Sequence, residues 1–332
     1  MDIVLCTDNN LVKQTCVLIT SVLLTNADEK IHFHILTLGT TEDDKIKLEK
    51  SVRNIAEITL YTILEKDFNQ FLIHSSYITR GTYLRFFIEE ALPKTIKKAL
   101  YLDIDIIVCK SLKNLYEISL QNYSCAAALD VECHDVSRYN RLCYNMADLY
   151  FNAGVILINL EWWRKEHVSK KAFEFLLKNP QKCLFHDQDA LNFVLHGTVF
   201  HLPNSYNAMY AFFKSEIDSL LILREKFEEL KNEASIPVII HYAGKLKPWH
   251  KEYHSFHYPF GKTWLFFIQK SGIKISIKPY KTKSKITLKA LVKRIFSSIG
   301  LIKPEFEKQK ESFVDTSSIE NDLLKDLQET RI

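Results

Sequence analysis

The chain has 332 residues, of which 47% are hydrophobic and 25% charged, and this is the composition of an ordinary globular protein with a sizeable core. No apolar run reaches the roughly 20 residues that a membrane-spanning helix needs. The first residues lack the basic and apolar stretches of a secretion signal, so we expect a cytosolic protein. The seven cysteines are odd in number and form no C-x-x-C pair, which is typical of reduced core thiols.

Charge is distributed unevenly along the chain. Residues 262–303 carry a net charge of +11, residues 304–332 carry −4, and the first 261 residues carry −3. We therefore predict a catalytic domain over 1–261, a basic segment over 262–303 and an acidic tail over 304–332. The tail is expected to form a helix near Ile319–Leu327 or to stay disordered.

The first sixty residues alternate between strand and helix patterns. Strands are predicted over Asp2–Thr7, Ile31–Leu38 and Glu57–Ile63, with helices over 11–25 and 41–55. This order predicts a parallel, doubly wound sheet, in which ligands bind at the carboxyl ends of the strands. Asp8 follows the first strand and would lie at that edge. Neither a dinucleotide fingerprint nor a P-loop follows this strand, so the phosphates of any bound nucleotide would have to be neutralised by a metal and basic side chains.

The next segment, Thr79–Glu90, is predicted to be a helix that carries Arg85 among aromatic residues. An arginine in this setting can hold a phosphate or an acidic neighbour. A structural salt bridge is the alternative, and the pattern leaves both open.

The stretch Lys98–Val108 is an apolar strand pattern that contains two acids, Asp103 and Asp105. Residues two apart in a strand face the same way, so two carboxylates would repel each other on one side of a buried strand. A divalent cation with oxygen ligands would cancel both charges. The alternative is that the strand ends at Leu102 and both acids are solvated.

Polar residues also accompany the later apolar runs. Cys125–Asp130 ends in an acid, and Phe151–Leu160 begins F-N-A-G, small residues that suit either the close approach of a ligand or a tight turn. Further along, Asp187 can cap the helix that follows it. Capping does not explain Gln188 as readily.

The last apolar strand, Ile236–Ile240, places His241 at its end. A single histidine is more often a satisfied core residue than a ligand. Beside two carboxylates it becomes a candidate third ligand, because carboxylate and imidazole together suit Mn²⁺. Lys247, which follows closely, could then face a phosphate.

The basic segment contains apolar residues at helical spacing over Ile286–Ile302, with lysines and an arginine on the other faces. A basic amphipathic helix is typical of attachment to an anionic membrane surface. Nucleic-acid binding and packing on the main domain are the alternatives. We expect this segment to bind the membrane surface and not nucleic acid, because an apolar face contributes nothing to binding a phosphate backbone.

Taken in order, these motifs resemble the family 8 glycosyltransferases, and more narrowly the bacterial galactosyl- and glucosyltransferases that extend lipopolysaccharide cores. The resemblance runs from Asp2 to about Trp249. It rests on D-I-V-L-C-T-D-N-N, Y-L-D-I-D, F-N-A-G-V-I-L-I-N-L, D-Q-D-A-L-N and H-Y-A-G-K-L-K-P-W-H. A D-x-D motif alone is weak evidence, whereas the ordered set is specific.

The resemblance implies a GT-A fold, a Rossmann-like single domain with a mostly parallel central sheet, here followed by a C-terminal basic amphipathic helical appendage. It implies Mn²⁺, with Mg²⁺ as a substitute, bound by Asp103, Asp105 and His241. The positions that match contacts to the UDP-sugar are Cys6, Asp8, Asn10, Tyr77, Ile78, Thr82, Arg85, Asp103, Ile104, Asp105, Ala153, Gly244 and Lys247. Those that match the catalytic pocket are Asp130, Asn152, Asp187 and Gln188.

The implied activity is the retaining transfer of galactose or glucose from UDP-galactose or UDP-glucose to a lipopolysaccharide or lipooligosaccharide core saccharide. Gln188 would support positive charge on the sugar rather than attack it, because an amide is a poor nucleophile. The expected partners are the UDP-sugar, a lipid-linked saccharide acceptor and the cytoplasmic face of the inner membrane, to which the protein would bind peripherally. The alternatives are transfer to a protein-linked glycan or another carbohydrate, and a catalytically silent sugar-nucleotide-binding membrane scaffold.

Overall fold

The computed structural model describes residues 1–64, 66, 80–214, 224–280 and 312–329 as a mixed α/β fold. The strands in these ranges are β1 (Asp2–Asp8), β2 (His32–Leu38), β3 (Glu57–Ile63), β4 (Lys98–Leu102), β5 (Ile106–Val108), β6 (Cys125–Leu129), β7 (Phe151–Asn159), β8 (Val199–Leu202), β9 (Ala208–Met209) and β10 (Ile239–His241). The α-helices are α1 (Val12–Thr25), α2 (Glu42–Ser51), α3 (Ile88–Ala91), α4 (Lys113–Tyr116), α5 (Val136–Leu142), α6 (Leu160–Glu166), α7 (Val168–Lys178), α8 (Asp187–Leu195), α9 (Arg224–Ala234), α10 (Lys251–Ser255), α11 (Gly261–Ser271) and α12 (Ser317–Glu329). Four 3-10 helices in the same ranges cover Arg80–Phe87, Pro180–Lys182, Asn204–Asn207 and Tyr210–Phe213.

The central sheet contains, within the described ranges, seven strands in the order β3-β2-β1-β4-β7-β6-β8. The four strands from β3 to β4 are parallel, β7 runs antiparallel to β4 and β6, and β8 is parallel to β6. The predicted mostly parallel sheet is therefore confirmed. Because β1 and β4 are parallel neighbours, their carboxyl ends place Asp8 and Asp103 at the same edge.

Both faces of this sheet are covered. Along β1, Val4 and Cys6 pack into one hydrophobic cluster, whereas Ile3 and Leu5 pack into the cluster on the other face together with α1. A parallel strand buried on both faces reads as a continuous apolar run, which β1 does. All seven cysteines are free thiols and six of them are buried, in agreement with the prediction of reduced core residues.

The predicted strand Lys98–Val108 is not continuous. β4 ends at Leu102, the chain turns through Asp103, Ile104 and Asp105, and β5 then joins a second sheet with β10 and β9. The Asp103 N–H donates to Gly154 O in the central sheet (2.8 Å), and the Tyr242 N–H donates to Asp105 O beside the small sheet (2.8 Å). The two acids therefore lie in the turn between two sheets, not on one face of a strand.

The prediction of one helix over Thr79–Glu90 also requires correction. The described part of this segment is a 3-10 helix, Arg80–Phe87, followed by one α-helical turn, α3. Arg85 lies in this 3-10 helix and is buried, with its guanidinium bound to partners on other elements.

The C-terminal part of the chain packs onto the domain. α11 buries Trp264 and Phe267 in the main core, although the sequence assigns this stretch to the basic segment. In α12, Glu320 accepts hydrogen bonds from the backbone N–H (2.8 Å) and the hydroxyl (3.1 Å) of Thr263. Of the two alternatives for the acidic tail, the helix is therefore present. The basic helix predicted over Ile286–Ile302 lies outside the described residues, and no helix in the described ranges is both long and apolar enough to cross a bilayer.

Candidate active site

A cavity of about 640 Å³ opens at the carboxyl edge of β1 and β4. Its walls come from β1, the 3-10 helix Arg80–Phe87, the turn after β4, β7, the start of α8 and the loop after β10. The lining includes fourteen of the residues singled out from the sequence: Cys6, Asp8, Arg85, Asp103, Ile104, Asp105, Asp130, Asn152, Ala153, Asp187, Gln188, His241, Gly244 and Lys247.

Four of the proposed donor-binding residues are not placed in this lining. Asn10 is exposed, and its backbone N–H donates to Asp8 Oδ1 (2.9 Å), which closes the turn after β1. Tyr77 and Ile78 lie outside the described residues, as does the side chain of Thr82.

The two acids and the histidine converge on one point. Asp103, Asp105 and His241 each offer a ligand atom, and these atoms lie within 4.8 Å of one another. His241 Nε2 is 3.4 Å from Asp105 Oδ1 and 3.9 Å from Asp103 Oδ2. The small sheet produces this convergence, because β10 pairs with β5 and sets His241 opposite Ile106, the residue after Asp105.

Asn207 fixes the orientation of the His241 ring. The Oδ1 atom of Asn207 is 2.8 Å from His241 Nδ1, and its Nδ2 donates to Asn152 Oδ1 (2.9 Å). Because an amide oxygen can only accept, Nδ1 carries a proton, and Nε2 is the atom that faces the two carboxylates, able to bind a cation when unprotonated or to donate to them when protonated. Two carboxylates and an imidazole held from behind in this way fit a divalent cation. The sequence pattern did not identify Asn207, since nothing in its local spacing relates it to a histidine 34 positions away.

Of the two alternatives for the F-N-A-G segment, the structure excludes the tight turn, whereas Asn152 and Ala153 line the cavity. The segment lies within β7, not in a turn, and a Cβ atom on Gly154 would be 2.3 Å from His241 Cε1. The glycine thus makes room for the imidazole.

Arg85 connects three parts of the site. Its guanidinium donates to Asp103 Oδ1 (2.8 Å) and to Ala153 O (2.8 Å), and its Nε lies 2.9 Å from Asp187 Oδ2. The sequence left open whether Arg85 holds a phosphate or an acidic neighbour or forms a structural salt bridge. In the structure its partners are the acidic side chains Asp103 and Asp187. Although burial opposes the charge, Asp103 and Asp187 raise the pKa of Arg85 above its ordinary value, so it is a permanent cation inside the site.

Asp187 does not cap α8 as predicted. The helix begins at Asp187, and the residue before it, His186, makes no side-chain capping bond. The carboxylate is buried and turned towards Arg85 instead. Burial raises the pKa of Asp187 to about 6, and the nearby Arg85 only partly offsets this effect.

Lys247 reaches the acids from the loop after β10. Its ammonium pairs with Asp105 and donates to Tyr242 O (2.9 Å). Burial favours the neutral carboxyl, but Lys247 and His241 outweigh it and hold the pKa of Asp105 well below its usual range.

In the same loop Gly244 has φ +106°, and a Cβ atom there would lie 2.3 Å from the Tyr210 hydroxyl, so only glycine fits without rearrangement.

Gln188 is held by three hydrogen bonds. Its Oε1 accepts from the Ala153 N–H (3.0 Å), and its Nε2 donates to Asp130 Oδ2 (3.1 Å) and to the Tyr150 hydroxyl (3.2 Å). Asp130 in turn accepts from Asn152 Nδ2 (3.1 Å), so three of the four predicted catalytic residues, Asp130, Asn152 and Gln188, form one connected network. The sequence did not point to Tyr150, which sits one residue before an apolar strand and resembles any core aromatic.

Comparisons with known proteins agree with this geometry. Residues 2–253 match the family model described as glycosyl transferase family 8. General stress protein A of Bacillus subtilis is 29% identical over 255 residues, covering 75% of this chain and 87% of that protein. A lipopolysaccharide 1,2-glucosyltransferase of Escherichia coli is 30% identical over 246 residues, covering 74% of this chain and 71% of that protein. The galactosyltransferase LgtC, solved in complex with donor and acceptor sugar analogues, is 29% identical with a TM-score of 0.69, and the match covers 82% of this chain and 95% of that one.

Proposed function

The chain belongs to glycosyl transferase family 8 and is a glycosyltransferase, and from that premise we propose that it transfers a hexose, galactose or glucose, from a UDP-sugar to a lipopolysaccharide or lipooligosaccharide core saccharide. The observation that carries this proposal is the convergence of Asp103, Asp105 and His241 in a cavity that also contains Gln188. The relatives named for transfer to lipopolysaccharide and the galactosyltransferase bound to sugar analogues support the choice of donor and acceptor class.

The leaving diphosphate is the first chemical problem. Mn²⁺, or Mg²⁺ in its place, held by Asp103, Asp105 and His241, would supply positive charge where the diphosphate becomes more negative. Lys247 adds a second positive charge at the same place, since its ammonium already lies against Asp105. When Asp105 binds the cation, the Lys247 ammonium would become available to a phosphate oxygen. This agrees with the proposed role of Lys247 as a diphosphate contact.

The donor sugar is the second problem. As the bond from its anomeric carbon to UDP breaks, positive charge grows on the sugar ring. The amide oxygen of Gln188, held by the Ala153 N–H, and the carboxylate of Asp187 stabilise that charge from the network around β7 and α8. In retaining transfer the acceptor hydroxyl approaches on the side that UDP leaves. Its oxygen forms the new bond to the anomeric carbon, and its proton passes to the leaving phosphate oxygen.

The acceptor is proposed to be lipid-linked. Leu184 and Phe185 line the cavity and are 62% and 46% exposed, and their apolar surfaces suit the faces of sugar rings. We propose further that the basic segment binds the anionic cytoplasmic face of the inner membrane, so that a soluble donor and a surface-bound acceptor meet at one enzyme.

Two other functions remain as alternatives to be tested. Transfer to a protein-linked glycan or another carbohydrate would use the same donor chemistry. A catalytically silent scaffold would bind the nucleotide sugar without turning it over, and the connected network of Gln188, Asp130, Asn152 and Tyr150 argues against it, because mere binding does not require an amide held by three partners.

The test is an incubation of the full chain with tritiated UDP-galactose or UDP-glucose, Mn²⁺ and truncated lipopolysaccharide, with Asp105→Asn as the control. We expect Mn²⁺-dependent hydrolysis of one donor without acceptor and transfer of its sugar when the acceptor is present. Hydrolysis combined with transfer only to other carbohydrates would move the assignment to the first alternative. The absence of both hydrolysis and transfer would favour the scaffold.

A further inference from the structure

A second cluster of metal-ligating side chains lies at the opposite edge of the central sheet. Asp2 begins β1, and His32 and His34 lie at the start of the neighbouring β2. The strands are parallel with Asp2 paired to His32, so these residues mark the amino ends of both strands. The acid that β1 contributes to the active-site cavity is six residues further on, about 20 Å along the strand. The two clusters are therefore separate.

The three side chains converge as ligands would. Asp2, His32 and His34 each offer an oxygen or nitrogen atom, and these atoms lie within 4.8 Å of one another. The His34 Nε2 atom is 3.0 Å from Asp2 Oδ1, and the two imidazole rings lie with their centroids 4.0 Å apart. Glu57, the first residue of β3, places its Oε2 atom 3.6 Å from His32 Nδ1. Three adjacent strands thus contribute nitrogen and oxygen donors to one place.

In each of the three side chains, the nitrogen or oxygen atom that faces away from the cluster lies within hydrogen-bonding distance of a hydroxyl group. The Tyr61 hydroxyl is 3.0 Å from His34 Nδ1, and the Thr59 hydroxyl is 2.8 Å from His32 Nε2. The Tyr116 hydroxyl donates to Asp2 Oδ2 (3.2 Å). Metal-bound imidazoles and carboxylates are held in this way, with the ligating atom free and the remote atom hydrogen-bonded.

The tautomer of His34, which is fully buried, determines the nature of its contact with Asp2. With its proton on Nδ1 and donated to Tyr61, His34 would direct the lone pair of Nε2 at the Asp2 carboxylate. The lone pair and the carboxylate would then repel each other, and a cation bound between His34 Nε2 and Asp2 Oδ1 would relieve this repulsion. With the proton on Nε2, the same contact is an ordinary hydrogen bond.

We propose that Asp2, His32 and His34 form a transition-metal site, with Zn²⁺ as the probe ion, that joins the amino ends of β1 and β2. Two imidazoles and a carboxylate are a common ligand set for zinc and a poor one for calcium or magnesium. The side chains of Asp2 and His32 are each 31% exposed, so an ion can enter from solvent and complete its shell with water or Glu57. Such an ion would stabilise the sheet and take no part in sugar transfer.

The experiment uses the full chain carrying Asp103→Asn and Asp105→Asn, because with both acids neutralised Arg85 and Lys247 repel any cation from the active-site cluster. Zn²⁺ is titrated by calorimetry into this variant, and the titration is repeated after adding His32→Gln. We expect one Zn²⁺ per chain in the first case and at least about a 10-fold loss of affinity in the second. His32 is partly exposed, so its replacement spares the core. The matched control is His201→Gln, an exposed histidine on β8 of the same sheet, and it should leave the affinity unchanged.

Two further measurements separate a built site from chance binding. Tyr61→Phe removes only the hydroxyl behind His34 and should weaken Zn²⁺ binding by about 10-fold. Zn²⁺ should raise the unfolding temperature of the background variant by more than that of the His32→Gln variant. Equal affinity with and without His32→Gln, or no bound Zn²⁺ in the background variant, would show that the cluster is a plain hydrogen-bonded network and overturn the proposal.

Discussion

The imidazole of His241 shows how much of the proposed chemistry depends on a single contact. Its Nδ1 atom is fixed by Asn207, which is fixed by Asn152, which also donates to Asp130. This chain of hydrogen bonds connects the proposed metal cluster to the residues around the donor sugar. A change at Asn207 should therefore alter metal binding without removing a metal ligand.

We predict that Asn207→Ala lowers the affinity for Mn²⁺ by about 10- to 100-fold, because the ring is no longer held with its proton on Nδ1. Calorimetric titration measures the affinity, and nitrogen-15 NMR of the histidines reports the tautomer. The matched control is Asn204→Ala in the same 3-10 helix, where the buried amide donates to Leu129 O instead. The control should lose stability but keep its Mn²⁺ affinity. Equal Mn²⁺ affinities in wild type and Asn207→Ala would contradict the role of Asn207.

Asp187 gives a prediction about pH. Burial raises its pKa to about 6 in the folded protein, against about 3.9 in an unfolded chain. The folded state therefore binds the proton more tightly, and the contribution of Asp187 to stability is full below pH ~4 and lost as the pH rises through ~6. Asp187→Asn should remove up to about 3 kcal/mol of this pH dependence in the free energy of unfolding.

The measurement is urea unfolding of wild type and Asp187→Asn at several values between pH 4 and pH 7. Asp28→Asn, at an exposed acid, should retain the dependence of the wild type. If wild type and Asp187→Asn change in parallel over this range, the carboxyl does not titrate there.

At the scale of the elements, β7 and β10 must pack more closely than ordinary side chains permit. Gly154→Ala would place a Cβ atom 2.3 Å from His241 Cε1, so either the ring or the strand must move. We predict that Gly154→Ala abolishes Mn²⁺-dependent donor hydrolysis. The same change made in His241→Ala should cost much less stability than in wild type, since the ring is absent. A double-mutant cycle of unfolding free energies measures this coupling, and additive effects would rule out the clash.

The sequence was informative where local pattern decides the structure and uninformative where a distant partner decides it. The strands β1 to β3 follow from short apolar or alternating runs and flanking turn residues, and the parallel order follows from the intervening helices. The sequence left open whether the strand ends at Leu102 or continues, because the run remains apolar on both sides of the acids, and the structure shows that it ends there. The packing of α11 could not be predicted either, because its lysines suggested a surface segment. Trp264 nevertheless packs in the core. Asn207 and Tyr150 act through partners that only the fold brings near.

Across the whole molecule, helices that follow residue 261 pack against the main core. The bonds between Thr263 and Glu320 join α11 to α12, and both helices bury apolar side chains in the main core, so a truncation before α11 would expose that core. The proposed membrane attachment is better tested by substitution than by deletion. The change Lys289→Gln, Lys293→Gln and Arg294→Gln keeps the chain length and removes charge from the predicted basic helix.

We predict that this triple variant binds vesicles containing anionic lipids on the order of 100-fold more weakly, at about 1 kcal/mol for each charge. Donor hydrolysis in solution should be unchanged. The control replaces Lys165, Lys170 and Lys171, which are exposed on α6 and α7, with glutamine. Sedimentation with the vesicles measures both variants, and equal losses would mean that attraction depends on total charge rather than on the basic segment.

The account as a whole depends on one cation bound between the turn after β4 and the end of β10. Binding of Mn²⁺ in the presence of UDP, measured by calorimetry on wild type and Asp105→Asn, tests this most directly. We predict one Mn²⁺ per chain whose binding depends on UDP in wild type, and an affinity for it at least about 100-fold lower in the variant, because the cation loses an anionic ligand. An Asp105→Asn protein that binds Mn²⁺ and UDP as tightly as wild type would contradict it.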